Sequence, residues 1–190
     1  EPEKSQFTID LRYTSVLELK EYDSRDQLVS TFAKGRKSDY KKAIKNGLTI
    51  STSKDISLLI ELNKKTFSLQ DVDHSYLDSI LLPLCKSAID MGYGELIVAF
   101  TNKGIPTSAA FFVWDNTTSY YLFGASDPAY RSNGATSLVM TECIWRSKKL
   151  EHQYVDFVGI NSPQRGEFKG SFGGSPTLHF DASWKQPYAK

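Results

Sequence analysis

The chain has 190 residues, a net charge of +1, and is 40% hydrophobic and 24% charged. These values suit one soluble globular domain with a sizeable core. Near-neutral charge excludes a global field that would favour DNA or a membrane surface. No apolar run approaches the ~20 residues of a bilayer span. The polar start at Glu1 is not a secretory leader, and Cys85 and Cys143 lie among apolar residues in helical patterns, as two reduced buried thiols would. A cytoplasmic address is the expectation. The first residue is not Met, so the chain reads as a processed form or a piece of a longer one.

In chain order, Phe7–Leu11 alternates and predicts a short strand. Ser24 to Phe32 predicts a helix with Ser24 as N-cap. Lys34 to Asn46 predicts a basic helix carrying Lys34, Arg36, Lys37, Lys41, Lys42 and Lys45 against the single acid Asp39, stopped by Gly47. Tyr40, Ala43 and Ile44 give it an apolar stripe, and its basic face is a candidate phosphate contact. Leu48–Ser51 follows as a strand. Asp55 can cap a helix burying Ile56, Leu59, Ile60 and Phe67, and a second helix carries Leu77 to Ala88, interrupted by Pro83. Leu96–Phe100, Ser108–Trp114 and Tyr120–Ala125, joined by short turns, predict an antiparallel meander. A helix over Gly134–Leu150 then returns as a strand through Tyr154–Gly159, a connection that favours parallel pairing with the preceding strand. A short helix near Glu167–Phe172 and a strand at Thr177–Phe180 end the chain. The fold class is α/β, a mixed and mostly antiparallel sheet with helices on both faces.

Three segments resemble the GNAT acyltransferase superfamily, and within it the FemAB-like branch. They are the basic helix Gly35–Leu48, the loop Gly124-Ala125-Ser126-Asp127-Pro128-Ala129-Tyr130-Arg131, and the strand Tyr154–Ile160 followed by Phe168-Lys169-Gly170-Ser171-Phe172-Gly173-Gly174. The resemblance covers about residues 34 to 180, leaving 1–33 as an N-terminal strand and helix extension ahead of a single domain at 34–190. It implies a splayed parallel strand pair and transfer of an acyl group from a thioester, usually an acyl-CoA or acetyl-CoA, to an amine. FemAB relatives instead take an aminoacyl group from charged tRNA to a peptidoglycan-precursor amine, and they carry two such domains in one chain. This chain then stands as a lone relative or as the C-terminal half of a two-domain protein, with a homodimer or a missing second GNAT domain as partner. The third reading is a GNAT-fold binding module without catalysis.

The residues divide by the chemistry that amine acylation needs: loss of an ammonium proton, polarisation of a carbonyl, and protonation of the leaving group. Arg131, with Asn133, Gly134, Ala135 and Thr136 at the first turn of a helix, forms a candidate site for the phosphates of the donor. The GNAT pattern there, Gln/Arg-x-x-Gly-x-Gly/Ala, is met up to Gly134 and then carries Thr136. Main-chain groups at Phe123 and Gly124 are candidates to hold the acyl oxygen. Lys169, in the Phe-Lys motif, can stabilise developing negative charge, Asp156 can orient or deprotonate the amine, and Tyr121 and Tyr130 are candidate acids. Arg36 and Lys37, with Tyr130, are candidate substrate contacts. His74, His152 and His179 show no ligand spacing with the cysteines, so no metal is expected.

Overall fold

The computed structural model describes residues 6–20, 22–67 and 77–185, so the expectation resting on His74 lies outside the described residues. Seven strands form one sheet in the order β2-β3-β4-β5-β6-β1-β7. They are β1 (Gln6–Glu18), β2 (Thr49–Ser53), β3 (Gly94–Phe100), β4 (Pro106–Trp114), β5 (Thr118–Ser126), β6 (Tyr154–Asp156) and β7 (Ser175–Lys185). The helices are α1 (Arg25–Thr31), α2 (Lys34–Lys45), α3 (Ser57–Phe67), α4 (Leu82–Asp90), α5 (Ala135–Lys149) and α6 (Pro163–Gly170). The meander β3-β4-β5 is antiparallel, and β5 pairs with β6 in parallel.

Alternation along the strands feeds two cores. Ile97, Ala99, Ala110 and Phe112 face α1 and α5, where they pack with Leu28, Val29, Val139, Met140 and Ile144. Leu96, Val98, Ala109 and Phe111 point the other way, onto Leu59, Leu62, Leu81 and Cys85 from α3, α4 and the turn before α4. Each of these large side chains contributes about 1.5–3 kcal/mol on full burial. Arg146 of α5 grips Glu95 of β3 with two bonds of 2.6 Å, and Arg25 of α1 reaches Glu142 of α5 at 2.6 Å.

Several boundaries follow from local chemistry. The Ser24 hydroxyl caps α1 by accepting from Gln27 N–H, and Asp55 accepts from Ser57 N–H before α3. Pro83 marks a change of helical pitch rather than a break, since Leu81 just before α4 is itself helical, at φ -66° and ψ -46°. A π-helical turn, Leu77–Leu81, precedes α4, and Pro83 falls in the first turn of α4, where its missing N–H costs nothing. The terminal strands are much longer than expected, because period-two alternation continues through Tyr13 and again from Leu178 to Trp184. They pair antiparallel over eleven residues, Gln6↔Lys185 to Val16↔Ser175. Residues 6–20 and 22–33 are therefore woven into the domain: β1 lies between β6 and β7, and Phe32 is in the core.

One strand is shorter than the sequence suggests. β6 stops at Asp156, not Gly159, because the Asp156 carboxylate captures the Val158 N–H at 2.7 Å and turns the chain. Val158 and Gly159 then adopt left-handed φ values of 51° and 78°.

Candidate functional site

The β5–β6 pairing lasts three residue pairs, Thr118↔Tyr154 to Tyr120↔Asp156. Beyond it, Phe157 N–H donates to Ser15 on β1 at 2.9 Å, and Ile160 N–H to Tyr13 at 2.8 Å. β6 and its following loop thus swing towards β1 while β5 runs on to Ser126. From Tyr121 to Ser126, β5 has no strand partner on that side among the described residues. This open edge is roughly 15 Å long at ordinary strand rise.

A bulge marks the start of the open edge. Phe112 pairs with Tyr121 and Phe111 with Phe123, so Leu122 is an extra residue on β5. It reverses the alternation. Tyr121 faces the α5 side, 5.4 Å from Phe112, whereas Phe123 packs on the α3 side. Asp127 N–H bonds to Thr107 on β4. By the two-residue period the N–H groups of Ala125 and Phe123 also face β4, and those of Gly124 face the open edge. Of the two main-chain candidates, Gly124 therefore looks into the slot and Phe123 does not. Gly124 is also where a side chain cannot fit: a Cβ there would fall on the Tyr121 hydroxyl, with Cζ at 2.8 Å.

Tyr121 and Lys169 meet here, with the Lys169 ammonium 5.4 Å from the Tyr121 ring centre. Burial raises the Tyr121 phenol well above its usual range, so it stays a proton donor. Among the described residues its hydroxyl makes no protein hydrogen bond. Lys169 is committed to the loop, donating to Val158 O at 2.6 Å and Gly159 O at 3.0 Å. Burial, then the neighbouring Arg165, lower its pKa, against a smaller opposing pull from Asp156. Asp156 is also committed, since its Oδ1 accepts from Thr14 Oγ1 and from Val158 N–H. Thr14 Oγ1 in turn accepts from Gly159 N–H at 3.2 Å.

At the Ser126 end lies a cleft of about 240 Å³ lined by Arg36, Ser126, Arg131, Thr136 and Phe168, among others. It sits at the N-terminus of α5, where Gly134 is the cap with φ 86°. Asn133 Oδ1 accepts from Ala135 N–H at 2.8 Å, and the Thr136 and Ser137 N–H groups have no protein acceptor among the described residues. The Asn133 side-chain amide nitrogen is buried without an acceptor. Thr136, where the GNAT pattern has a small residue, is accommodated by β4: Ser108 Oγ lies 3.3 Å from its hydroxyl. Arg36 stacks 5.2 Å over the Phe168 ring and pairs with Asp39 at 3.2 Å. α2 roofs one side so closely that a Cβ on Gly134 would sit 3.0 Å from Ala43 N.

Three expected residues fall elsewhere or split from the rest. Lys37 donates to Ser30 O at 3.2 Å and lines a separate groove between α1 and α2. Tyr130 sits in a 3-10 turn, Pro128–Tyr130, capped by Asp127, which pairs with Lys65 at 2.8 Å. Ala135 is buried and offers only its backbone. Ser126, Ser137, Phe168 and Thr14 are not among the site residues that the sequence suggests. Ser126 and Phe168 lie inside the motif segments, whereas nothing in the sequence marks Thr14. Among the described residues no three His, Cys, Asp or Glu side chains converge as metal ligands.

A mixed sheet whose one parallel pair parts beside a helix N-terminus is the architecture that the GNAT resemblance implies, that of an acyltransferase. The chain belongs to the acetyltransferase (GNAT) domain family, whose model matches residues 33–170. Its fold is similar to that of FemX, at 18% identity and a TM-score of 0.73 over 87% of this chain and 59% of FemX. It is also similar to L-PGS from Bacillus licheniformis, at 9% identity and a TM-score of 0.65 over 94% of this chain and 62% of that one. A predicted acetyltransferase from Clostridium acetobutylicum, solved with acetyl-CoA, matches at 14% identity and a TM-score of 0.51 over 65% of this chain and 88% of that one. The chain thus spans about three-fifths of the length of FemX and L-PGS. No curated protein matches.

Proposed function

We infer that the protein is an N-acyltransferase that moves an acyl group from a thioester donor, an acyl-CoA, to an amine by direct attack. The observation that carries this reading is the free edge of β5 with a cationic helix N-terminus at its Ser126 end. An extended arm can lie along such an edge as an added strand would. Phosphates would rest on the Thr136 and Ser137 N–H groups with Arg131, Arg36 and the Asn133 amide. The cleft is below the ~300–1,000 Å³ of a drug-sized pocket, so it suits phosphate groups more than a whole nucleotide.

With phosphates at that end, the thioester falls towards Gly124 and Tyr121. The Gly124 N–H polarises the carbonyl as the amine adds to its carbon and the C–S bond breaks. The nitrogen sheds its proton to solvent as the amide forms, and Tyr121 supplies the proton that the departing thiolate needs, regaining one from water afterwards. Lys169 acts here by fixing the Val158–Gly159 turn that keeps β6 apart from β5, and Asp156 and Thr14 fix the same turn.

A second reading, transfer from aminoacyl-tRNA, is favoured by the exposure of Lys34, Lys41, Lys42 and Lys45 on α2. It is the weaker, because of the six basic residues on that helix only Arg36 lines the cleft. The test is thermal denaturation with acetyl-CoA, CoA and aminoacylated tRNA, alongside acetyl transfer to a panel of amines. Saturation at 100 times Kd stabilises by about 2.7 kcal/mol, so both thioester-series ligands should raise the melting temperature by several degrees. A shift with the tRNA alone would replace the first reading with the second, and no shift with any would remove both.

A further inference from the structure

The β1–β7 ribbon has two unlike faces. On one, Phe7 stands opposite Trp184, Leu11 opposite Phe180 and Tyr13 opposite Leu178, with Ile9 between them. On the other, Arg12 pairs with Asp181 at 3.2 Å, and His179 lies 3.7 Å from the same carboxylate. The apolar face continues the side of the sheet on which Leu17 enters the α1–α5 core. Towards the tip the cover runs out: exposure climbs from 45% at Tyr13 through 54% at Leu11 and 56% at Ile9 to 63% at Phe7, and Phe180 and Trp184 stand at 62% and 58%. A two-stranded ribbon is marginal in water unless one face packs on something.

We propose that this face is a docking surface for a second copy of the chain, two ribbons meeting apolar face to apolar face about a two-fold axis. Taking ~150–250 Å² for a large side chain, these seven half-exposed residues leave on the order of 700 Å² to be covered. That approaches the ~800 Å² per partner of a standard stable interface. A two-fold contact joins a patch to itself and so needs a patch that does not repel itself. This one carries no charge, and Arg12, His179 and Asp181 stay on the far side, in water. Docking would also reach the transfer slot. Tyr13, at the inner end of the patch, bonds through its backbone to Ile160 and to both polar atoms of the Asn161 side-chain amide, so covering the ribbon steadies the loop beside Gly159.

Sedimentation equilibrium of the 190-residue chain over roughly 1–200 µM, a range that brackets micromolar affinity, tests this. The expected result is a reversible dimer of twice the chain mass. Leu11→Lys with Phe180→Lys should convert it to a monomer, while Ser183→Glu on the polar face leaves it dimeric. Unchanged far-ultraviolet circular dichroism shows that the double variant still folds. Hydrogen exchange of unaltered protein gives a second reading without mutation: amides of 7–13 and 178–184 should gain protection as concentration rises. A chain that stays monomeric throughout, whether or not a further domain of a longer polypeptide is found to cover the ribbon, overturns the proposal. So does a dimer that survives the double lysine variant or shows no concentration-dependent protection in the ribbon.

Discussion

The ammonium of Lys169 donates to the carbonyl of Val158 at 2.6 Å, across the gap between α6 and the loop that leaves β6. Val158 is a β-branched residue at φ 51°, a conformation that costs on the order of 1–3 kcal/mol unless surrounding bonds impose it. The lysine, with Asp156 and Thr14, supplies those bonds. Lys169→Met keeps the stem and removes the donors, and should destabilise the fold by about 2 kcal/mol. At this size that is roughly 4–8 °C in melting temperature, with a loss of transfer activity. A variant that melts like the unaltered protein yet loses activity would mean that the lysine acts on the reacting groups instead.

The bulge at Leu122 brings Tyr121 back over Gly124, so the two should behave as a unit. Tyr121→Phe should lower kcat by about 10²-fold, the lower end of acid catalysis, with little change in melting temperature. Gly124→Ala forces the ring to move and should cost about 1–3 kcal/mol. In the double variant the hydroxyl is gone and the alanine cost should shrink, a non-additive cycle readable by denaturant titration. Additive costs would place the two apart.

Gly134 permits both a left-handed cap and the approach of α2. Gly134→Ala meets the backbone of Asp39 and Ala43, which cannot swing aside as a side-chain tip can. A loss of about 2–3 kcal/mol is expected, together with a weaker response to CoA. Gly35→Ala, where a Cβ meets nothing within 4 Å, is the matched control.

His152 is buried, its Nδ1 2.7 Å from Ser119 Oγ, and burial lowers its pKa against a smaller opposing pull from Asp115. The unfolded chain takes up this proton as pH falls through about 6.5, whereas the folded chain resists until lower pH. The stability is therefore complete above the unfolded value and lost as pH falls towards the depressed folded one. Melting temperature should drop between pH 7.5 and 5.5, and His152→Gln should flatten that slope.

Periodicity carried most of the fold. The meander, the caps at Ser24 and Asp55 and the change of helical pitch near Pro83 each rest on neighbours in sequence, and those were legible. The full length of β1 and β7 was also written in their alternation, which runs on past Leu11 and Phe180. The end of β6 was not, because Asp156 reads as a strand residue until its carboxylate is seen bonding Val158 N–H and Thr14. The division of labour between Phe123 and Gly124 was hidden for a related reason. It depends on one unpaired residue, Leu122, that only cross-strand register reveals. Lys37 and Arg36 are adjacent in sequence but point to different grooves, a matter of where α2 docks.

Backbone amide resonances of the uniformly labelled protein, followed as acetyl-CoA is added, test the transfer slot most directly. Saturable shifts are expected at Gly124 on the open edge and at Thr136 and Ser137 on the first turn of α5, while Lys37 and Lys41 in the α1–α2 groove stay put. Shifts confined to that groove, with Gly124 and the α5 turn unmoved at saturation, would contradict it.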